Sequence, residues 1–123
     1  MPAREAVASF IGATFRSVWA LELLCYLRDN RDRGHSHAEM VLGLRGSDLV
    51  VTQSLESLAA AGLVLIEADG SARYAPASPD LDGLVDKTAT LYAKSPDAVR
   101  RMIIAAANPG ISAFADAFKL RKD

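Results

Sequence analysis

Apolar residues recur at three- and four-residue spacing along most of the chain, and this pattern predicts a mainly α-helical protein. One helical segment follows Ser47, a residue type that caps helix N-termini well. Its apolar face is formed by Val51, Leu55 and Leu58. Gly62 ends it, because glycine adopts the left-handed cap conformation without a steric penalty and places Leu63 against the last turn. The pattern therefore predicts a helix that leads directly into an extended segment.

A β-hairpin is predicted immediately after this helix. Residues 63–68 are rich in branched apolar side chains, and residues 69–70 are Asp-Gly, the dipeptide that a two-residue hairpin loop favours. A loop of that length places Leu65 opposite Tyr74, on the face toward the domain. Arg73 then falls on the outer face, where it offers a positive charge to a partner.

A shorter helix upstream is predicted by a capping box. Ser36 and Glu39 have the spacing at which each side chain accepts the backbone N–H of the other residue. The apolar face of this helix consists of Met40, Val41 and Leu44. Residues 45–46 are Arg-Gly and form a turn, so residues 36–61 are predicted to fold as a helix, a glycine-containing turn and a second helix.

The order of helix, turn, helix and hairpin resembles the winged-helix domains of bacterial MarR- and ArsR-like transcriptional regulators. The resemblance is carried by Val51-Thr52-Gln53-Ser54-Leu55, by Leu58, and by Ala61-Gly62-Leu63-Val64. It covers about residues 17–77. The fold class that it implies is mainly α with a small β-hairpin wing, that is, a winged helix-turn-helix domain.

Helices are also predicted on both sides of this domain. Residues 1–16 form an N-terminal helical extension, a helix from Ser17 to Arg28 opens the domain, and residues 78–123 form a C-terminal helical region. That region has three helix starts in which an N-cap residue precedes proline, at Ser78, Ser95 and Asn108. Each of its helices has one apolar stripe, so we expect a homodimer that buries them, or, as the alternative, stripes that fold back onto the N-terminal helix. The dimerisation residues expected are Phe10, Leu84, Leu91, Ile103 and Phe114.

The resemblance implies a site for double-stranded DNA. In such regulators the glycine-capped helix lies in the major groove and the hairpin contacts the backbone or the minor groove. By position, the DNA-binding residues are Ser36, Arg45, Ser47, Thr52, Gln53, Ser54, Ser57 and Arg73. Gln53 has the chemistry to pair with adenine, Thr52 offers a hydroxyl and a methyl group, and the two helix-capping serines stand where helix amides meet phosphate.

The charge pattern keeps a second function open. The chain has a net charge of −1, and residues 47–79 contain one cation, Arg73, against four carboxylates. The other nearby cations are Arg31, Arg33 and Arg45. Phosphate neutralisation normally supplies most DNA affinity. We therefore expect a homodimeric DNA-binding regulator, with a winged-helix protein-interaction module that uses its acidic face as the alternative.

The remaining features argue against several other classes of protein. A chain of 123 residues with one cysteine, no recognisable leader and no apolar run long enough for a bilayer is expected to be a single cytoplasmic domain. Cys25 lies in an apolar helix and is interpreted as an inert thiol. His35 and His37 beside a helix start are interpreted as solvated, so no metal is expected. Because no catalytic motif is recognisable, we expect neither an enzyme nor a cofactor.

Overall fold

A computed structural model describes the backbone of residues 2–107 and the side chains of residues 5–106. The elements in this part of the chain are α1 (Pro2–Thr14), α2 (Val18–Asp29), α3 (His37–Leu44), α4 (Asp48–Ala60), β1 (Val64–Ile66), β2 (Ala72–Tyr74), α5 (Pro79–Lys94) and α6 (Pro96–Ala107). The prediction of a mainly helical protein with one small antiparallel hairpin is confirmed. The helix start at Asn108 and the interface residue Phe114 lie outside the described residues.

Serine side chains begin four of the helices, and the sequence predicts three of these caps, at Ser36, Ser47 and Ser78. α6 begins at Pro96 as predicted, but the predicted cap Ser95 ends α5 and its hydroxyl accepts no hydrogen bond from the described residues. The Ser36 hydroxyl accepts the Glu39 N–H at 3.2 Å, and the Glu39 carboxylate accepts the Ser36 N–H at 3.1 Å. This pair is the capping box of α3. Ser17, Ser47 and Ser78 cap α2, α4 and α5, each accepting the N–H of the third residue after it at 3.2 Å.

The end of α4 is a glycine cap of the predicted kind. Gly62 has a φ of 77°, and its N–H donates to the Ala59 carbonyl at 3.0 Å. The Leu63 N–H donates to the Leu58 carbonyl at 3.1 Å, which completes a Schellman motif. The Gly62 carbonyl then accepts the Ala77 N–H at 2.8 Å. Both ends of the hairpin are therefore attached to the last turn of α4.

The predicted register of the hairpin is wrong by one residue. Leu65 pairs with Arg73 rather than with Tyr74. The reason is a loop of three residues instead of two, in which Gly70 has a φ of 88° and its N–H donates to the Glu67 carbonyl at 2.9 Å. A turn followed by a left-handed glycine is the usual geometry of three-residue hairpin loops. As a consequence, Leu65 points outward and is exposed.

His35 ties the loop between α2 and α3 to the hairpin. Its N–H donates to the Ala72 carbonyl at 2.8 Å, and its carbonyl accepts the Ala72 N–H at 2.9 Å. The His35 side chain is buried against the Tyr26 ring, with the ring centroids 5.3 Å apart. The interpretation of His35 as a solvated residue is therefore wrong, because backbone pairing with β2 turns its imidazole inward. His37 is half-buried.

The apolar stripes of the terminal helices pack together within one chain. α1 contacts α5 and α6, and α6 also contacts α2. Their buried side chains include Phe10 and Ile11 from α1, Phe15 directly after it, Val85 and Thr88 from α5, and Val99 and Ile103 from α6. Phe10 and Ile103 are therefore core residues of one chain rather than interface residues, which is the alternative that the sequence left open. Leu84 and Leu91 are half-buried.

Candidate nucleic-acid interface

The two faces of α4 differ as its sequence predicts. Its buried face packs on α2 and consists of Val51, Leu55 and Leu58 together with Ser54. The outer face presents Thr52, Gln53 and Glu56, all of which are exposed. Because Glu56 follows Thr52 by four residues and Gln53 by three, the three side chains lie side by side. Thr52 and Gln53 therefore have the accessibility that contact with base edges requires.

Ser54 does not belong to this exposed face. It is only 4% exposed, because it lies between Val51 and Leu55 on the side of α4 that packs against α2. Ser54 lines a cleft of about 280 Å3 together with the half-buried Ser57. The cleft limits access to both hydroxyls, so the assignment of Ser54 as a DNA contact is not supported by its position.

Arg16 is a cation beside α4 that the sequence interpretation missed. It lines the same cleft as Gln53 and Ser57, across from α4, and it is exposed. No described carboxylate lies within ion-pair distance of it. A local signal existed, since Arg16 directly precedes Ser17, the N-cap of α2. Only the packing of α2 across α4 shows that this cap lies next to the exposed residues of α4.

Arg33, one of the cations that the sequence places near the site, is paired with a carboxylate of the same chain. Its guanidinium makes two hydrogen bonds with the Glu39 carboxylate, at 2.7 and 3.2 Å. The Arg33 guanidinium and the Ser36 N–H lower the pKa of Glu39 to about 2. The pair stabilises the start of α3 and leaves Arg33 little charge to offer to phosphate.

Arg45 and Arg73 keep their charge available. Both side chains are exposed, and neither forms an ion pair with a described carboxylate. Arg45 immediately follows α3 in the turn before α4, whereas Arg73 lies on the outer side of the hairpin opposite Leu65. Arg31 also retains a charge, but it lies over the Tyr74 ring, 5.6 Å from the ring centroid. The exposed face of α4 thus has Arg16 beside it and Arg45 in the turn before it, and no cation among its own residues.

Acidic and apolar side chains surround the start of α4. The Asp48 carboxylate is 3.1 Å from Nε2 of His37. Leu42 and Leu49, on either side of the turn between α3 and α4, are 79% and 65% exposed. Ser36 and Ser47 have their hydroxyl oxygens occupied as caps, while their hydroxyl protons have no acceptor among the described residues. The surface is therefore mixed, with polar, acidic and apolar groups near the two arginines Arg16 and Arg45.

The geometry of α3, α4 and the hairpin is compatible with the predicted arrangement of a helix-turn-helix followed by a wing. The chain matches no known family model, no characterised protein and no solved structure.

Other chemistry at this surface or elsewhere has little support in the described residues. Within them, no three His, Cys, Asp or Glu side chains cluster in a way that could hold a metal ion. Burial, and after it the charges of Glu22 and Asp29, raise the pKa of the Cys25 thiol to about 11. That thiol is therefore protonated and a poor nucleophile at neutral pH. In the same range of residues no single helix has the length and apolar content needed to cross a bilayer; Glu5–Thr14 and Val18–Asp29 reach both only when taken together, with a bend of 108° between them.

Proposed function

We propose that this protein is a cytoplasmic DNA-binding transcriptional regulator, in which α3 and α4 form the helix-turn-helix and the hairpin forms the wing. One observation carries the proposal: Arg16 shares a cleft with the exposed Gln53 of α4, Arg45 lies in the turn before α4 and Arg73 lies on the hairpin, and none of these three exposed arginines is paired with a described carboxylate. Arginines around a recognition helix contact phosphates and fix the position of that helix on the duplex. Uncharged side chains between them are then free to read bases.

Within the proposed site, Gln53 and Thr52 are the base-reading residues. A glutamine amide matches the N6 and N7 groups of adenine, and a threonine offers its hydroxyl to a base edge or its methyl to thymine. The Ser36 and Ser47 hydroxyl protons and the first-turn amides of α3 and α4 are suited to phosphate oxygens. The two kinds of contact can be told apart by measuring affinity for different duplexes, because base contacts discriminate between sequences and phosphate contacts do not.

Homodimerisation belongs to the proposal because one chain has few cations for phosphate. Two copies double the arginine set and present two α4 helices to the two halves of a palindromic site. Half-sites of such dimers lie about one helical turn of DNA apart. Simultaneous binding of two half-sites raises affinity without any additional contact in each copy.

Selection from a random duplex library at low salt tests this function. We expect one enriched motif with two half-sites, and an affinity that falls steeply as salt is raised. Gln53→Ala should cost roughly 1 to 3 kcal/mol on the enriched duplex and relax the base preference. Arg16→Ala, Arg45→Ala or Arg73→Ala should weaken binding to all duplexes by a similar factor. Ser9→Ala, at an exposed position on α1 away from α4 and the hairpin, is the matched control and should leave binding unchanged.

Two results would contradict DNA binding by this site. One is a selection that enriches no sequence; the other is an equal loss on specific and random duplexes for Gln53→Ala. All variants should first be shown to unfold cooperatively at the wild-type temperature, so that a loss of binding is not caused by a loss of fold.

A second candidate function, docking of a basic protein, is favoured by the exposure of Leu42 and Leu49 beside Asp48. Exposed leucines next to carboxylates are typical of a surface that receives a partner with apolar and cationic side chains. Glu56→Lys separates the two functions, since Glu56 is exposed in the middle of the α4 face. This reversal should strengthen a complex with DNA and weaken a complex with a basic protein.

A further inference from the structure

A groove of about 520 Å3 separates α2 from the end of α3. Six residues of α2, between Val18 and Asp29, form one wall, and Gly43 and Leu44 of α3 form the other. Grooves of this volume accommodate small organic molecules. The groove shares no lining residue with the proposed DNA surface apart from Trp19, which also lines the cleft beside Arg16.

Two aromatic side chains stand two helical turns apart along this groove. Trp19, the only tryptophan of the chain, lies on α2 and is 41% exposed. Tyr26 is held in place from behind, because its ring contacts His35 and because a Cβ at Gly43 would lie 2.9 Å from ring atom Cε1. Only a glycine at this position lets α3 approach the ring so closely. The groove thus combines a fixed aromatic ring with an accessible indole.

The charge of the groove is negative. Glu22 and Asp29 line it, and none of the described lining residues is a lysine or an arginine. One oxygen of Glu22 accepts a hydrogen bond from the Tyr92 hydroxyl, and the other has no hydrogen-bond partner among the described residues. Arg28 reaches Asp29 at 3.4 Å, but its shortest contacts, at 2.6 and 2.9 Å, are with Asp86 on α5. The two groove carboxylates therefore remain largely available to a ligand.

Cys25 lies between these carboxylates and forms an apolar part of the wall. Burial raises the pKa of its thiol, and the charges of Glu22 and Asp29 raise it further. Glu22 and Asp29 stand about one helical turn to either side of Cys25, so both carboxylates lie along the same wall of the groove. A neutral sulfur at this position offers a polarisable surface rather than a reactive group.

We propose that this groove binds a small organic cation with an apolar body, such as a quaternary ammonium or phosphonium compound. The faces of Trp19 and Tyr26 attract a diffuse positive charge through cation–π interaction, and Glu22 and Asp29 supply the compensating charge. An anion of the same size is repelled by the two carboxylates. A bare metal ion is not suited to the groove, since no three His, Cys, Asp or Glu side chains of the described residues, Cys25 included, cluster closely enough to hold one.

Tetraphenylphosphonium and tetraphenylborate test the proposal on the full chain, because they match in size and shape and differ in the sign of their charge. Trp19 is an internal probe, since its emission is the only tryptophan signal. We expect a saturable change of this emission with the phosphonium and none with the borate. Glu22→Gln and Asp29→Asn should each weaken phosphonium binding about fivefold, which corresponds to the loss of one partly exposed charge pair.

Glu67→Gln is the matched control, because it removes one exposed carboxylate from the hairpin and leaves the groove unchanged. Its dissociation constant for the phosphonium should equal that of the wild type. Equal responses to the phosphonium and the borate, or equal affinities for Glu22→Gln and Glu67→Gln, would overturn the proposal. Because this measurement contains no DNA, a failure to bind the phosphonium does not contradict the proposed DNA binding. A failure to bind DNA likewise does not contradict the proposal for the groove.

Discussion

At the scale of single residues, Arg45 is the most unusual position in the described part of the chain. It is the one non-glycine residue there with a positive φ, 56°. Its N–H donates to the Leu42 carbonyl at 3.3 Å, so it takes the left-handed position that glycine normally takes after a helix. Most side chains are disfavoured in this conformation. The exposed, unpaired guanidinium gains no compensating contact from the described residues, which supports a role in binding a partner.

The Arg33–Glu39 pair gives a prediction for pH dependence. The pKa of Glu39 is lowered from 4.5 to about 2, so its contribution to stability is complete above 4.5 and is lost as the pH falls toward about 2. Glu39→Gln keeps the capping box, because glutamine also accepts the Ser36 N–H. We therefore expect this variant to lose stability less steeply than the wild type over that acid range. Urea unfolding at several pH values measures it.

Glu56→Gln is the control for this measurement, because Glu56 is exposed on α4 and forms no ion pair with the charged residues that the structure describes. Removal of its charge should leave the acid dependence close to that of the wild type. If the free energy of unfolding falls equally steeply with decreasing pH in Glu39→Gln and in the wild type, the Arg33–Glu39 pair does not contribute to folding.

At the scale of elements, two glycines should respond to alanine in opposite directions. Gly62 ends α4 with a φ of 77°, and a Cβ there would lie 3.3 Å from the Cβ of Ala77. Gly62→Ala should therefore destabilise the fold by about 1 to 2 kcal/mol. Gly83 lies within α5, and a methyl group added there would meet no atom within 4 Å, so Gly83→Ala should stabilise by up to about 1 kcal/mol. Urea midpoints that shift in the same direction for both variants would refute this account.

Helix boundaries follow from short-range chemistry, which is why the sequence predicts them well. The caps at Ser36, Ser47 and Ser78 and the glycine cap at Gly62 each act over three to five residues, and they lie where the pattern places them. The hairpin loop is a counter-example on the same scale. An Asp-Gly dipeptide fits both a two-residue and a three-residue loop, and the dipeptide alone does not decide between them. The register of β1 and β2 follows from this choice.

Contacts between distant parts of the chain have no local signal. The pairing of His35 with Ala72 and the position of Arg16 beside Gln53 both depend on how the helices pack. Ser54 shows that the pattern does not fix every side chain of a helix. It directly follows the exposed Gln53, yet its own side chain is buried. The sequence predicts that Thr52 and Gln53 are exposed. It does not predict that Arg16 lies near them, because that contact depends on helix packing.

A second copy of the chain would have to cover apolar surface that one chain leaves accessible. The periodic pattern identifies the stripes of α1, α5 and α6 but does not distinguish burial within one chain from burial between two. The structure assigns Phe10 and Ile103 to the core of one chain. Leu91 remains half-buried on α5, beside a shallow groove of about 300 Å3 that Lys87 and Lys94 also line. For a proposed dimer, this face of α5 is the part of the predicted interface that is still accessible.

Light scattering on the full chain tests the dimer. We expect the mass of two chains at micromolar concentration, and the mass of one chain for Leu91→Glu, because an unpaired carboxylate is costly to bury in an apolar interface. Ala93→Glu is the control, since Ala93 is exposed on the same helix two residues away. It should remain dimeric. A single-chain mass for the wild type would remove the dimer and, with it, the bivalent binding that the sparse cations of one chain require.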